Sequence, residues 1–304
     1  SALRGAGSTG EDGLMAAGAA VAPKRRGVAH RLVRRPAAFA ALVLLAASAL
    51  GALLAPWLAP YDPFATAGRP LAPPAWADGA DPAFLLGTDG QGRDILSRLL
   101  WGARLTLVMG LASVAIGGVI GMTLGLLSAF FRAADPYLMR FVDVLLSFPA
   151  VLLGLAVAAI FGPGALAIVI ALSIATVPDV ARVTRGAAVV VMGQDYIEAG
   201  RAIGLSDRTL IVRYLALNCV STVFVFMTLR FGQVILIGAA LSFLGLGARP
   251  PLAELGMMAA QGRDFLFFAP HVATVPSLAI FVIVLCANVV GDALRDVLDP
   301  RLRT

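Results

Sequence analysis

Six long apolar runs divide the chain, each ended by a polar or charged stretch. They cover Ala37 to Leu58, residues 105 to 130, Tyr137 to Phe161, Ala165 to Val191, Val220 to Leu244 and His271 to Val290. A helix needs about 20 apolar residues to cross the hydrocarbon of a bilayer. The pattern therefore predicts six transmembrane helices and an all-α, polytopic membrane fold with both termini on one side. Residues 59–104 and 245–270 form two long intervening segments, the second carrying Pro250, Pro251, Glu254 and Arg263. Residues 1–36 are Ala- and Gly-rich and then basic, through Lys24, Arg25, Arg26, Arg31, Arg34 and Arg35. The first apolar run is longer than the core of about 7–15 residues in a signal peptide, so it is read as a span. The predicted organisation is a basic tail over 1–36 and a six-span unit over 37–304.

Residues inside and beside the runs refine this picture. The second run carries Gly110, Gly117, Gly118, Gly121 and Gly125. Its two GxxxG spacings let helix backbones approach closely; the alternative is the ordinary tolerance of membrane helices for glycine. Before it, Asp94 to Trp101 sets Ile95, Leu96, Leu99 and Leu100 opposite Asp94, Ser97 and Arg98. This predicts an amphipathic helix lying at the outer interface. Trp57 and Trp101 fall near span ends, where aromatic belts form. Asp143 lies inside the third run, ahead of Ser147-Phe148-Pro149, where the proline is expected to kink the helix. Asp179 follows Pro178 in the fourth run, near Arg182 and Arg185. Ionisable residues inside a span are costly and mark ion pairs or pathways. Structural pairing of both acids with Arg182 and Arg185 is one reading; a gate that rearranges is the other.

Between the fourth and fifth runs stands DYIEAGRAIGLSDRTLIVRYLALN, residues 195–218. Tyr196 to Ile203 has helical character. Gly204 fits the position just past a helix end, where a left-handed backbone costs glycine little. Ser206 or Asp207 is placed to cap a second helix running to about Leu217. Two short helices around a glycine elbow result. On these residues alone an amphipathic connector lying on the membrane surface is an equal reading.

Composition narrows the function. Of 304 residues, 59% are hydrophobic and 14% charged, against about 25% charged in soluble domains. The net charge of +6 comes from basic residues at the ends of apolar runs, which signals orientation rather than nucleic-acid binding. The inside group is the N-terminal run, Arg132, Arg201, Arg208, Arg213, Arg301 and Arg303; the outside group is Arg69, Arg93, Arg98, Arg104, Arg249 and Arg263. The excess favours cytoplasmic termini and a cytoplasmic elbow. Lys24 is the only lysine, and it stands in no G-x-x-x-x-G-K-[ST] loop, so nucleotide-driven work falls to another chain. Cys219, Cys286, His30 and His271 form no metal spacing, and Asp89 with Asp94 lacks the EF-hand pattern. No metal site and no catalytic residue are assigned.

Glu198-Ala199-Gly200, with Gly204 following after three residues, resembles the EAA coupling loop of ABC importer permeases. It departs at Gly200, where alanine is usual, and at Leu217, where proline is usual; without that proline the second helix is free to run into the fifth span. Leu86-Gly87-Thr88-Asp89-Gly90-Gln91-Gly92-Arg93-Asp94 with Ser97-Arg98 resembles an outer motif of the dipeptide, oligopeptide and nickel branch, specifically its "C" permease subunits. Leu241 to Gly247 with Pro250-Pro251 resembles the segment after that family's fifth span, with Leu255 in place of a usual tryptophan. Asn288, Gly291-Asp292, Leu294-Arg295-Asp296 and Leu298-Asp299-Pro300-Arg301 resemble its C-terminal signature. The resemblance runs over about residues 36–303 with the motifs in order. It implies a type I ABC importer permease in the bacterial cytoplasmic membrane. Glu198, Ala199, Gly200, Gly204, Ser206 and Asp207 would couple to an ATPase. Implied partners are a homologous second permease, two cytoplasmic P-loop ATPase subunits or domains that bind ATP and Mg, an extracytoplasmic substrate-binding protein and the lipid bilayer. No cofactor is implied in this chain, and di- or oligopeptides are the commonest cargo, with nickel, glutathione and sugars as others.

Two other classes are weaker. An ion-coupled secondary transporter needs a mid-membrane relay and inverted repeats; Asp143 and Asp179 are the only candidate relay residues, both are read as lying off-centre toward the cytoplasmic side, and no repeat is visible. A membrane enzyme finds no HExxH, no GxSxG and no His or Cys cluster.

Overall fold

The computed structural model describes residues 35–298. The basic run from Lys24 to Arg34 and the C-terminal Asp299, Pro300, Arg301 and Arg303 lie outside the described residues. Among the described residues the secondary structure is helical, with one isolated bridge between Thr88 and Asp94.

Helix α1 (Pro36–Leu53) begins on a proline, whose missing amide hydrogen is harmless in a first turn. The predicted run to Leu58 breaks at Leu54, because Pro56 opens a new short helix, α2 (Ala55–Leu58). Helix α3 (Ile95–Phe130) is 36 residues long, about 54 Å at the usual rise. The predicted interfacial helix at Asp94–Trp101 is thus no separate element but the first turns of α3. Its polar face is turned the opposite way from the expectation: Asp94, Ser97 and Arg98 are buried.

The predicted third span divides into α4 (Asp135–Ser147) and α5 (Ala150–Phe161), which meet at 89°. Phe148 is extended (φ −92°, ψ 121°), as the ring of the following proline demands. The chain therefore makes a right-angle corner, a larger break than the expected kink. Helix α6 (Ala165–Met192) then crosses in one piece through Pro178.

Among the described residues, helices α3 and α6 share the most extensive contact. A Cβ at Gly117 would lie 2.5 Å from the Ser173 carbonyl oxygen, and one at Gly125 would lie 2.5 Å from that of Ala181. The GxxxG spacing is therefore a seam on which one backbone lies against another.

Helix α7 (Asp195–Ala202) is followed by α8 (Asp207–Phe243), an unbroken 37-residue rod whose Leu210–Ala216 stretch is π-wound. The second elbow helix runs on into the fifth span as one element, as expected where Leu217 replaces the usual proline. The segment 245–270 also departs from a simple outer loop. Helix α9 (Leu255–Gly262) folds back and packs on α8 and α10 (His271–Leu298). Glu254 caps α9 by accepting from the Gly256 and Met257 amides, both at 2.9 Å. Gly256 and Gly262 permit the approach: a Cβ would sit 2.8 Å from Ala239 Cα and 2.5 Å from the Ala273 amide nitrogen. Helix α10 closes the bundle against α1 and α8, and Arg35 pairs with Asp296 across its end. Among the described residues five helices are long and apolar enough to cross a membrane, or six spans if the α4–α5 pair is one.

Candidate functional site

The elbow between α7 and α8 is a fixed corner. Gly204 has φ +79°, the left-handed region that favours glycine. The Gly204 amide donates to the Arg201 carbonyl at 3.0 Å, and the Leu205 amide to the Gly200 carbonyl at 3.0 Å. This double closure satisfies the last carbonyls of α7. The Ser206 hydroxyl then caps α8 by accepting from the Thr209 amide at 3.4 Å; Asp207 stands in the first turn, where its charge suits the helix dipole. Of the two expected caps, Ser206 fills the position.

The corner is seated on the bundle. Ile197, Leu210 and Leu215 are buried. Leu210 and Leu215 pack with Leu126 and Phe130 of α3 and Ala188 of α6. Arg201 lies over the Phe130 ring at 5.4 Å, and Tyr196 stacks on Tyr214 at 6.4 Å. Glu198, Ala199, Gly204, Ser206 and Asp207 are exposed around the corner. Gly200 points inward instead: a Cβ there would meet Leu210 Cδ2 at 3.0 Å and Leu205 Cδ1 at 3.2 Å. The departure from alanine at Gly200 thus lets the two arms close on each other. Sequence reasoning missed Ile203, an exposed isoleucine at the apex. Its signal is an apolar residue directly before a helix-ending glycine, where no intrahelical partner covers it.

The ionisable residues inside the spans are paired, partly otherwise than expected. Asp143 meets Arg182 at 2.6 Å. Arg185 binds Asp135 with both Nε and Nη2, at 2.7 and 2.6 Å, and takes neither Asp143 nor Asp179. Asp179 pairs with Arg230 of α8 at 2.6 Å. The pairing of Asp179 with Arg182 or Arg185 is therefore corrected. Arg182 is three residues from Asp179, within pairing reach on one helix, but it is drawn across to Asp143 of α4, and Arg230 of α8 meets Asp179 instead.

At the opposite end from the elbow a buried polar knot joins the two long loops. Asp89 accepts from Arg93 Nε at 2.7 Å and lies 3.3 Å from Arg98 Nε. Arg98, 1% exposed, donates to the Pro63 carbonyl at 2.8 Å and reaches that of Pro251 at 3.4 Å. Asp94 caps α3 through the Ser97 amide at 2.7 Å. Both carboxylates that suggested a calcium loop are engaged in this knot.

Such an assembly of membrane-length helices, with a rigid helical corner on one end, is that of a polytopic α-helical membrane protein. The model of binding-protein-dependent transport system inner membrane components matches residues 121–304, and that of the N-terminal TM domain of oligopeptide transport permease C matches residues 25–74. The chain belongs to the family of binding-protein-dependent transport system inner membrane components. It is 45% identical to a di/tripeptide transport system permease protein of Pseudomonas aeruginosa, over 83% of this chain and 84% of that protein. It is 46% identical to a glutathione transport system permease protein of Pectobacterium atrosepticum, over 75% of this chain and 76% of that one. Among solved structures, an inward-facing MetNI methionine ABC transporter chain is similar in fold, with TM-score 0.55 and 22% identity over 66% of this chain and 97% of that chain.

Proposed function

We propose that this chain is one half of the membrane pathway of an ATP-driven importer of small peptides in the bacterial cytoplasmic membrane, with both termini and the elbow in the cytoplasm. A homologous permease supplies the other half. Two P-loop ATPase subunits or domains bind ATP and Mg, and an extracytoplasmic binding protein delivers the solute. The elbow carries this reading. Its exposed rim of Glu198, Ala199, Ile203, Gly204, Ser206 and Asp207 suits a protein cleft, and its inner side is locked to α3 and α6. The names of the two relatives, for di/tripeptides and for glutathione, support a small peptide as cargo.

The mechanism follows from the geometry. Closure of the ATPases around ATP moves the elbow. Because α8 is unbroken from Asp207 to Phe243, a displacement at the elbow is carried along the rod through the membrane. Packed α3 and α6 follow, since their seam leaves no slack. The pathway then alternates between its two sides. No step of hydrolysis falls on this chain. The test is uptake of a labelled dipeptide into proteoliposomes holding both permeases, the ATPases and the binding protein. Uptake that requires ATP and survives collapse of the proton gradient is expected. Uptake that continues without ATP, or that stops with the gradient while ATP stays high, overturns the reading.

A further inference from the structure

Asp179 and Arg230 meet at mid-height in the bundle, which corrects the off-centre placement of Asp179 read from the sequence. Asp179 is near the centre of α6, and Arg230 near the centre of the α-helical Leu217–Phe243 stretch of α8. Each lies about 20 Å from either end at 1.5 Å per residue. Arg230 Nη2 is 2.6 Å from Asp179 Oδ2 and 3.3 Å from the Ala175 carbonyl oxygen; Nη1 donates to Gln233 Oε1 at 2.7 Å. Arg230 Nε is buried and donates to no acceptor among the described residues. The side chains are 30% exposed for Asp179 and 16% for Arg230, and Gln233 is exposed. Three residues further along α6, the Asp143–Arg182 pair is about half exposed, at 52% and 55%. Lipid does not solvate such a row of charges; ionisable groups at this depth face protein or a water-filled cavity. This side therefore faces the pathway shared with the second permease.

We propose that Asp179, Arg230 and Gln233 form a mid-membrane station for zwitterionic peptides, which Arg230 holds by the carboxylate and Asp179 by the ammonium. The proposal rests on the reading of the chain as half of a peptide pathway. The resting ion pair keeps the site neutral while empty. A zwitterion gives each partner an opposite charge in exchange for the one it loses, so no charge is left unpaired at any stage. A peptide blocked at both ends offers neither charge, and a singly charged solute strands one partner. Selection thus comes from the penalty on the wrong solute as much as from attraction to the right one. The planar guanidinium fork matches a carboxylate.

The test uses the complete transporter in lipid nanodiscs, without binding protein. Cys219 and Cys286 are replaced by serine, and Ala175→Cys, one turn from Asp179, is the reporter. Leu285→Cys, exposed on α10, is the control. The probe is a water-soluble cationic thiosulfonate, applied with dialanine or with its N-acetyl amide. Labelling of Ala175→Cys but not of Leu285→Cys is expected. Dialanine is expected to slow it about tenfold, the change made by one charge-assisted contact worth about 1.4 kcal/mol, and the blocked peptide not at all. Arg230→Gln and Asp179→Asn should each still label but lose the protection. An unlabelled reporter, equal protection by the blocked peptide, or protection that survives in both variants overturns the station. ATP-dependent uptake of dialanine by the cysteine-free parent with its binding protein separates the two readings. If that uptake fails, the peptide-importer reading fails; if it is intact and protection is absent, only the station fails.

Discussion

Gly121 of α3 lies directly against the Val177 carbonyl of α6: a Cβ on Gly121 would be 2.6 Å from that oxygen and 2.8 Å from Val180 Cβ. Both neighbours belong to a packed helix and neither is a flexible tip. Gly121→Val is expected to destabilise at or beyond the upper end of the about 1–3 kcal/mol typical of overpacking. Gly186→Ala on α6, with nothing within 4 Å of its Cβ position, is expected to gain up to about 1 kcal/mol of helix propensity. Thermal melting of the purified chain in detergent, read for both variants against the parent, checks this.

The elbow predicts opposite results at two glycines four residues apart. Gly204→Ala forces a left-handed backbone on a residue with a Cβ, costing about 1–2 kcal/mol. Gly204→Pro cannot take φ +79° at all and is expected to abolish uptake. Gly200→Ala meets only the ends of Leu205 and Leu210, which can shift, and it gains helix propensity. Its stability is expected to stay within about 1 kcal/mol of the parent, with uptake retained. Uptake assays with parallel melting curves decide between these outcomes.

Glu198 is exposed on α7 and makes no ion pair among the described residues. Glu198→Lys therefore leaves the fold unchanged but reverses a charge on the proposed docking rim. The expected outcome is normal yield and melting, with loss of ATPase co-purification and of uptake. Normal uptake in this variant removes Glu198 from the coupling contact.

What was legible in the sequence was local. The apolar runs located the membrane-length helices because bilayer thickness sets their length, although α3 and α8 begin well ahead of their runs, at Ile95 and Asp207. Gly204 and Ser206 announced the elbow because each suits a backbone position few other residues take well. What was not legible depends on partners far along the chain. The polar face of Asp94–Arg98 reads as a solvated face until Pro63 and Pro251 are brought to it. Asp179 has two arginines nearby in sequence, yet its partner is Arg230 on another helix. The burial of α9 rests on Glu254 and on two glycines whose close neighbours lie on α8 and α10. Periodicity reports which residues share a face, not which face the rest of the chain covers.

Arg98 makes the loop-end knot a stability test. Arg98→Leu strips Asp89 of one cation and leaves the Pro63 and Pro251 carbonyls without their donor. Breaking a buried pair by removing one partner costs about 3–5 kcal/mol. Arg98→Lys keeps the charge and loses the fork, so a smaller loss is expected. Membrane yield and melting temperature should fall in the order parent, Arg98→Lys, Arg98→Leu.

Leu217→Pro restores the residue usual in related elbows, and the structure predicts how it is tolerated. Leu217 directly follows the π-wound Leu210–Ala216 stretch, so it stands where the helix changes its hydrogen-bonding period. A proline in a regular helix interior costs about 3 kcal/mol, from a lost hydrogen bond and a clash with the carbonyl one turn back. At a change of winding the turn is already widened, which relieves the clash. The expected cost is below about 3 kcal/mol, with uptake retained. The same substitution at Val225, buried within the regular part of α8, is the comparison and should cost the full amount. Equal destabilisation at the two positions would show that the π-wound stretch gives no relief, and that the elbow and the span are coupled as stiffly as any other part of the rod.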